Sequence, residues 1–139
     1  MLNERFVVRQ SLDILRPPPQ FHTMNTNASQ VRLAAIFGAL AVTLGAFGAH
    51  GLKATLAAHD TAAIWQTASH YHLIHAAVLL ALGLAGISRW GWKSMFIGTT
   101  IFSGTLYVLA VTGIKWLGAI TPIGGLLMII GWLLVAARK

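Results

Sequence analysis

The sequence predicts an all-α membrane protein, a four-transmembrane-helix up-down bundle with both termini cytoplasmic, and three observations carry that expectation. Hydrophobic residues make up 56% of the 139-residue chain and charged residues 9%, with a mean hydropathy of +0.70, far outside the soluble norm. Four long apolar stretches account for most of the chain, and its three acidic residues all fall outside them: Glu4 and Asp13 in the N-terminal tail, Asp60 in a connection. Lys and Arg, finally, are unequally divided between the two sides that four crossings create. One domain is expected.

The N-terminal 30 residues read as a flexible tail, because Arg16-Pro17-Pro18-Pro19 cannot continue a helix. Met24 opens a compact version of the chain that lacks nothing the membrane needs, so residues 1–23 are expected to be an upstream misassigned start, with a short docking arm as the alternative. The four-span domain, 31–139, follows. A span needs about 20 apolar residues to cross a hydrocarbon core of roughly 30 Å, and 31–49, 68–87, 95–113 and 120–137 qualify. Small residues around Gly45 to Ala49 also suit a cleavable signal, but the length of span one and the three spans behind it favour a retained anchor.

Segment 51–67 is expected to form an interfacial helix, with Leu52, Leu56, Ala63 and Ile64 on one flank and Lys53, His59 and Asp60 wet; a plain loop is the alternative. The other connections, 88–94 and 114–119, are short and join antiparallel neighbours. One side of this arrangement holds Arg5, Arg9, Arg16, Arg32, Arg89, Lys93, Arg138 and Lys139, the other Lys53 and Lys115. Both termini are therefore expected in the cytoplasm, or in the matrix of a mitochondrial inner membrane, with Trp90 and Trp92 at the inner interface and Trp116 at the outer one.

The net charge of +7 reflects this topology and forms no basic stripe, so no nucleic-acid partner is expected. With no cysteine the chain offers no disulfide, thiolate metal site or c-type haem attachment. Lipid gives helices no hydrophobic reason to associate, so small residues mark their contacts. Ala41, Gly45 and Ala49 repeat at i+4 in span one near Gly38 and Gly48; span three offers Thr99, Ser103, Thr100 and Gly104; span four Gly124, Gly125 and Gly131. These faces suit packing within one bundle or a homo-oligomer interface. Ser103, Thr105 and Thr112 are able to bond to their own helix, and Pro122 falls in a first turn, where its missing N–H costs little.

Five of the six histidines, His50, His59, His70, His72 and His75, lie between the end of span one and the first turns of span two. Histidine at membrane depth serves as metal ligand, proton relay or axial haem ligand, or stays neutral and hydrogen-bonded in packing. A His50/His75 pair is the candidate for metal or haem; packing is the weightier expectation, and neither a cofactor nor a catalytic residue is assigned.

The runs Gly45-Ala46-Phe47-Gly48-Ala49-His50-Gly51-Leu52 and Trp65-x-Thr67-Ala68-x-x-Tyr71-x-x-x-His75-Ala76 recur in this order with Phe102-Ser103-Gly104-Thr105-Leu106-Tyr107, Thr112-Gly113 and Thr121-Pro122-Ile123-Gly124-Gly125. Over residues 31–139 the chain resembles the YgdD-like small inner-membrane protein family, a domain of unknown function similar to a small mitochondrial transmembrane protein. The resemblance implies a four-helix integral membrane protein and brings no activity. Its pattern falls on His50, Tyr71 and His75 and leaves out His70 and His72. With Tyr107 and Thr121 from the later spans, those three form the expected polar cluster, either a ligand pocket or a hydrogen-bonded lock.

Three functions compete. A non-catalytic accessory, assembly or regulatory factor of a membrane complex leads, since the spans hold no carboxylate and no nucleophile with a base. An oligomeric transporter or channel for a neutral solute comes second, and a His-ligated haem or metal protein third. The expected partners are the lipid bilayer and a membrane-protein complex or a second copy of the chain.

Overall fold

Asn27 begins the described architecture by accepting a hydrogen bond from the Gln30 amide through its side chain, so α1 starts at Ala28 and runs to Ala49. The computed structural model describes residues 26–86 and 89–137; the N-terminal tail and the Met24 start lie outside them. A short helix α2 follows at Lys53–Ala58, then α3 at Ala62–Leu84 and α4 at Arg89–Thr112. A 3₁₀ turn, Lys115–Ala119, leads into α5, Thr121–Ala136. Four segments are long and apolar enough to cross a membrane: α1, α3, α4, and the 3₁₀ turn together with α5. The described residues contain helices and no strands.

Span boundaries differ from the expected ones for local reasons. The second span begins at Ala62, not at 68, because Thr61 anchors its start: the buried hydroxyl donates at 2.7 Å to the Ala110 carbonyl. That carbonyl lies in the last turn of α4, where carbonyls lose their intrahelical partners. Residues 62–67 are therefore helical despite the polar Gln66 and Thr67 that dilute the apolar pattern. Gly86, at φ +63°, turns the chain after α3 ends at Leu84, short of 87. The third span starts at Arg89 and not at 95, since Trp92 is already helical and donates from its indole to the Leu79 carbonyl at 2.8 Å. The expected interfacial helix over 51–67 shrinks to the six residues of α2, which buries Leu56; Ala63 and Ile64 belong to α3.

The spans run up, down, up and down as a helical bundle, and their closest backbone contacts link successive spans in a row. Backbones approach between α1 and α3, α3 and α4, and α4 and α5, while α1 stays apart from α5. Glycines set these approaches. A Cβ on Gly98 would sit 2.8 Å from the Gly124 carbonyl oxygen, and one on Gly124 would sit 2.5 Å from the Phe102 amide, so α4 and α5 cross backbone on backbone. Gly131 repeats the contact lower down, where its Cβ would lie 3.0 Å from Met95. Between α1 and α3, Gly48 leaves room for the Trp65 indole, whose N–H donates to the Leu44 carbonyl at 3.2 Å.

Two apolar clusters fill the row. Ala34, Leu79, Leu82, Trp92 and Met95 occupy the half nearer the termini. Leu56, Trp65, Ala68, Tyr107 and Ala110 occupy the far half. Outward-facing Leu33, Ile36, Leu40, Leu126, Ile129 and Leu133 are exposed, as lipid-facing residues must be.

Because Gly98 and Gly124 touch backbone, Gly98→Ala and Gly124→Ala should each destabilise the fold by about 1–3 kcal/mol. Gly125→Ala, whose Cβ would meet only Phe102 ring atoms 3.8 Å away, should stay within about 0.5 kcal/mol of the parent. Denaturant unfolding in micelles distinguishes them; equal losses at all three positions would refute the crossing.

Candidate functional site

Tyr107 is the hub of the polar interior. From α4 its hydroxyl reaches two groups on one face of α3, 3.3 Å from Ser69 Oγ and 3.4 Å from His72 Nδ1. Its ring packs 4.6 Å from that of Trp65. His72 in turn lies where three helices meet, its ring 4.1 Å from Phe37 of α1. A single hydroxyl proton serves one acceptor at a time, so the proton on Tyr107 and the tautomer of His72 are tied together.

Two buried polar atoms in this region lack partners among the described residues: His72 Nε2, on a residue 3% exposed, and Ser103 Oγ, on one 2% exposed. Ser103 stands four residues before Tyr107, hence on the same face of α4. The apolar layer of Leu79, Met95 and Trp92 lies between this region and the termini, and Thr99 inside it bonds back to the Met95 carbonyl at 2.8 Å.

The residues singled out in the sequence are distributed over several places. Tyr107 lies in the hub. Tyr71 and His75 pair on α3, where His75 Nδ1 donates to the Tyr71 carbonyl at 2.9 Å and the two rings stack at 5.9 Å. That donation leaves Nε2 of a neutral His75 as an acceptor, and its ring meets Trp132 edge-on at 6.3 Å. Thr121 pairs with Thr105 across α4 and α5 at 3.0 Å. His50 is exposed and ends α1 as its C-cap.

The structure does not form the His50/His75 pair. Gly48 meets Trp65, and Gly38 lies beside Ala76 at 3.7 Å, so the antiparallel register puts His75 opposite Gly38. That is twelve residues, or about 18 Å, from His50. No group of three or more His, Cys, Asp or Glu residues able to hold a metal occurs among the described residues. His72, left outside the family pattern, turns out to be the histidine in contact with Tyr107. Its spacing of three from His75 gave no hint of this; the usable signal was Ser69 at i−3, which places two polar groups on one buried face.

Comparison with known proteins decides the family. A model described as "Protein of unknown function (DUF423)" matches residues 44–125. The chain belongs to this DUF423 family. Among its relatives, the UPF0382 membrane protein YwdK of Bacillus subtilis is 43% identical over 111 residues, covering 74% of this chain and 89% of the relative. A UPF0382 membrane protein of Staphylococcus epidermidis is 45% identical over 108 residues, 74% of this chain and 88% of its own. The UPF0382 inner membrane protein YgdD of Escherichia coli is 40% identical over 116 residues, covering 79% and 88%. No solved structure matches the chain. Four membrane-length helices and these relatives make this DUF423 member a multi-pass inner-membrane protein.

An orphan hydroxyl and a bonded one should respond oppositely to removal. Ser103→Ala should stabilise the fold by about 1 kcal/mol, and Tyr107→Phe should cost about 1 kcal/mol. Unfolding of both variants under one set of conditions checks the signs; destabilisation by Ser103→Ala would mean that its hydroxyl is bonded.

Proposed function

We propose that the protein is a non-catalytic accessory, assembly or regulatory factor of an inner-membrane complex, acting by lateral contact within the bilayer. The observation that carries this reading is Gly104. A Cβ there would meet nothing within 4 Å among the described residues, so this glycine is not held by a close helix crossing, unlike Gly98 and Gly124 on the same pair of helices. It opens a shallow apolar cleft of about 480 Å³ between α4 and the start of α5, with Thr100, Thr105, Val108, Ile120 and Ile123 along its walls. A small residue that admits a neighbouring backbone is what helix association in lipid requires.

The chemistry of the interior supports the same reading. Asp60, the one carboxylate among the described residues, lies in the turn between α2 and α3, so the spans hold no carboxylate to couple a proton to transport. The apolar layer of Leu79, Met95 and Trp92 closes the terminal half, which favours a scaffold over a path through one chain. In this reading both termini face the cytoplasm, with Arg32, Arg89 and Lys93 on that side and Lys53 and Lys115 on the other. The short α2 then rests at the outer interface.

Gly104→Leu fills the cleft without touching the crossing of α4 on α5. In affinity purification from native membranes at natural expression, partner subunits recovered with the parent chain should be lost with this variant while its unfolding midpoint stays unchanged. Equal recovery of the same subunits, or a parent chain that brings none, would count against the proposal.

A further inference from the structure

In its far half, α3 turns a polar face toward a groove it shares with α1. Gln66, Ser69 and His70 line one wall of this groove of about 680 Å³, and Val42, Gly45, Ala46 and Ala49 line the other. Gln66 and His70 are exposed, and their side chains make no hydrogen bond among the described residues. His70 lies eight residues into the helix, about 12 Å along its axis, which is inside a hydrocarbon core of roughly 30 Å for a span of this length. An acyl chain offers such groups no hydrogen bond, and leaving them bare there is costly. The wall across from them is unusually open: a Cβ on Gly45 would meet nothing within 4 Å among the described residues.

We propose that this groove is the interface with a second copy of the same chain, formed about a two-fold axis running along the membrane normal beside Gly45. Three features select a second copy over another occupant. A glutamine amide, a neutral imidazole and a hydroxyl each donate and accept, so each is able to pair with its own symmetry mate. The groove carries no charged side chain, hence nothing that calls for a partner of opposite sign or sets two identical faces at odds. The skewed Lys and Arg distribution inserts every copy the same way. Two α1 helices then run parallel, and an isologous contact brings Gly45 to Gly45. Gly45, Ala46 and Ala49 allow the close approach, and the Gln66 and His70 side chains find across the axis the partners they lack among the described residues. This interface is independent of the Gly104 cleft and of any complex that the cleft serves.

The absence of cysteine from the sequence makes a direct test available. Full-length Gly45→Cys in its native membrane, treated with a mild oxidant, should give a disulfide-linked dimer, whereas Leu133→Cys on the exposed face of α5 should not. Adding Gln66→Leu and His70→Leu, both at exposed positions and therefore harmless to folding, should weaken the dimer about tenfold, as read by the monomer–dimer ratio in lipid nanodiscs across a dilution series. A monomer at every dilution, cross-linking at Leu133→Cys equal to that at Gly45→Cys, or a dimer indifferent to the two leucines would each overturn the proposal. A small amphiphile in the groove would appear as a monomer of increased mass, which also overturns it.

Discussion

Lipid offers no hydrogen bonds, so a polar atom at membrane depth must be satisfied by another part of the protein, and the placement of most polar side chains here follows from that constraint. Thr43, Thr67, Thr99, Thr100 and Thr112 each donate to the carbonyl one turn back, at 2.7 to 3.0 Å, and so disappear into their own helices. Thr61, Trp65, Trp92 and Ser94 do more: each donates to a backbone carbonyl of a neighbouring helix, Ala110, Leu44, Leu79 and Leu127 respectively. These four bonds tie successive spans together. The exceptions then stand out. His72 and Ser103 are buried and incompletely bonded, Gln66 and His70 are exposed and unbonded, and all four lie on α3 or on the α4 face that meets it.

Glycine makes those ties reachable. Gly48 is required beside Trp65 because a side chain there would occupy the space of the indole that bonds to Leu44. Gly98 and Gly124 bring α4 and α5 into backbone contact, and Ser94 reaches the Leu127 carbonyl across the same pair at 2.8 Å. Against these, a Cβ on Gly45 or Gly104 would meet nothing within 4 Å among the described residues. The division between occupied and open glycines separates residues that hold the fold from residues free to meet something else, a distinction that a count of small residues does not make.

The number, order and apolar character of the spans were legible because a bilayer imposes length and hydropathy directly on the sequence. Boundaries were less so. Gln66, Thr67, Ser69 and His70 lowered the apolar signal at the start of α3, although a helix satisfies its own backbone whatever its side chains are. Gly124 and Gly48 are recognisable as packing residues from the sequence, but nothing there marks Gly98, and Gly45, Gly104 and Gly124 are alike in it. Which neighbour a glycine meets depends on the register of another helix. The polar cluster suffered for the same reason. His50 and His75 are separated by register alone, and the partner that Tyr107 meets is His72, which depends on the same register.

The central claim is that this chain works through lateral protein contacts and not through chemistry of its own. Native mass spectrometry of the protein, kept at its natural level and released gently from its own membrane, addresses that claim most directly. That mode of action predicts two copies of the chain together with further subunits. A lone chain, or one accompanied solely by a haem, a metal ion or a small molecule, would contradict it and return weight to a redox or transport role.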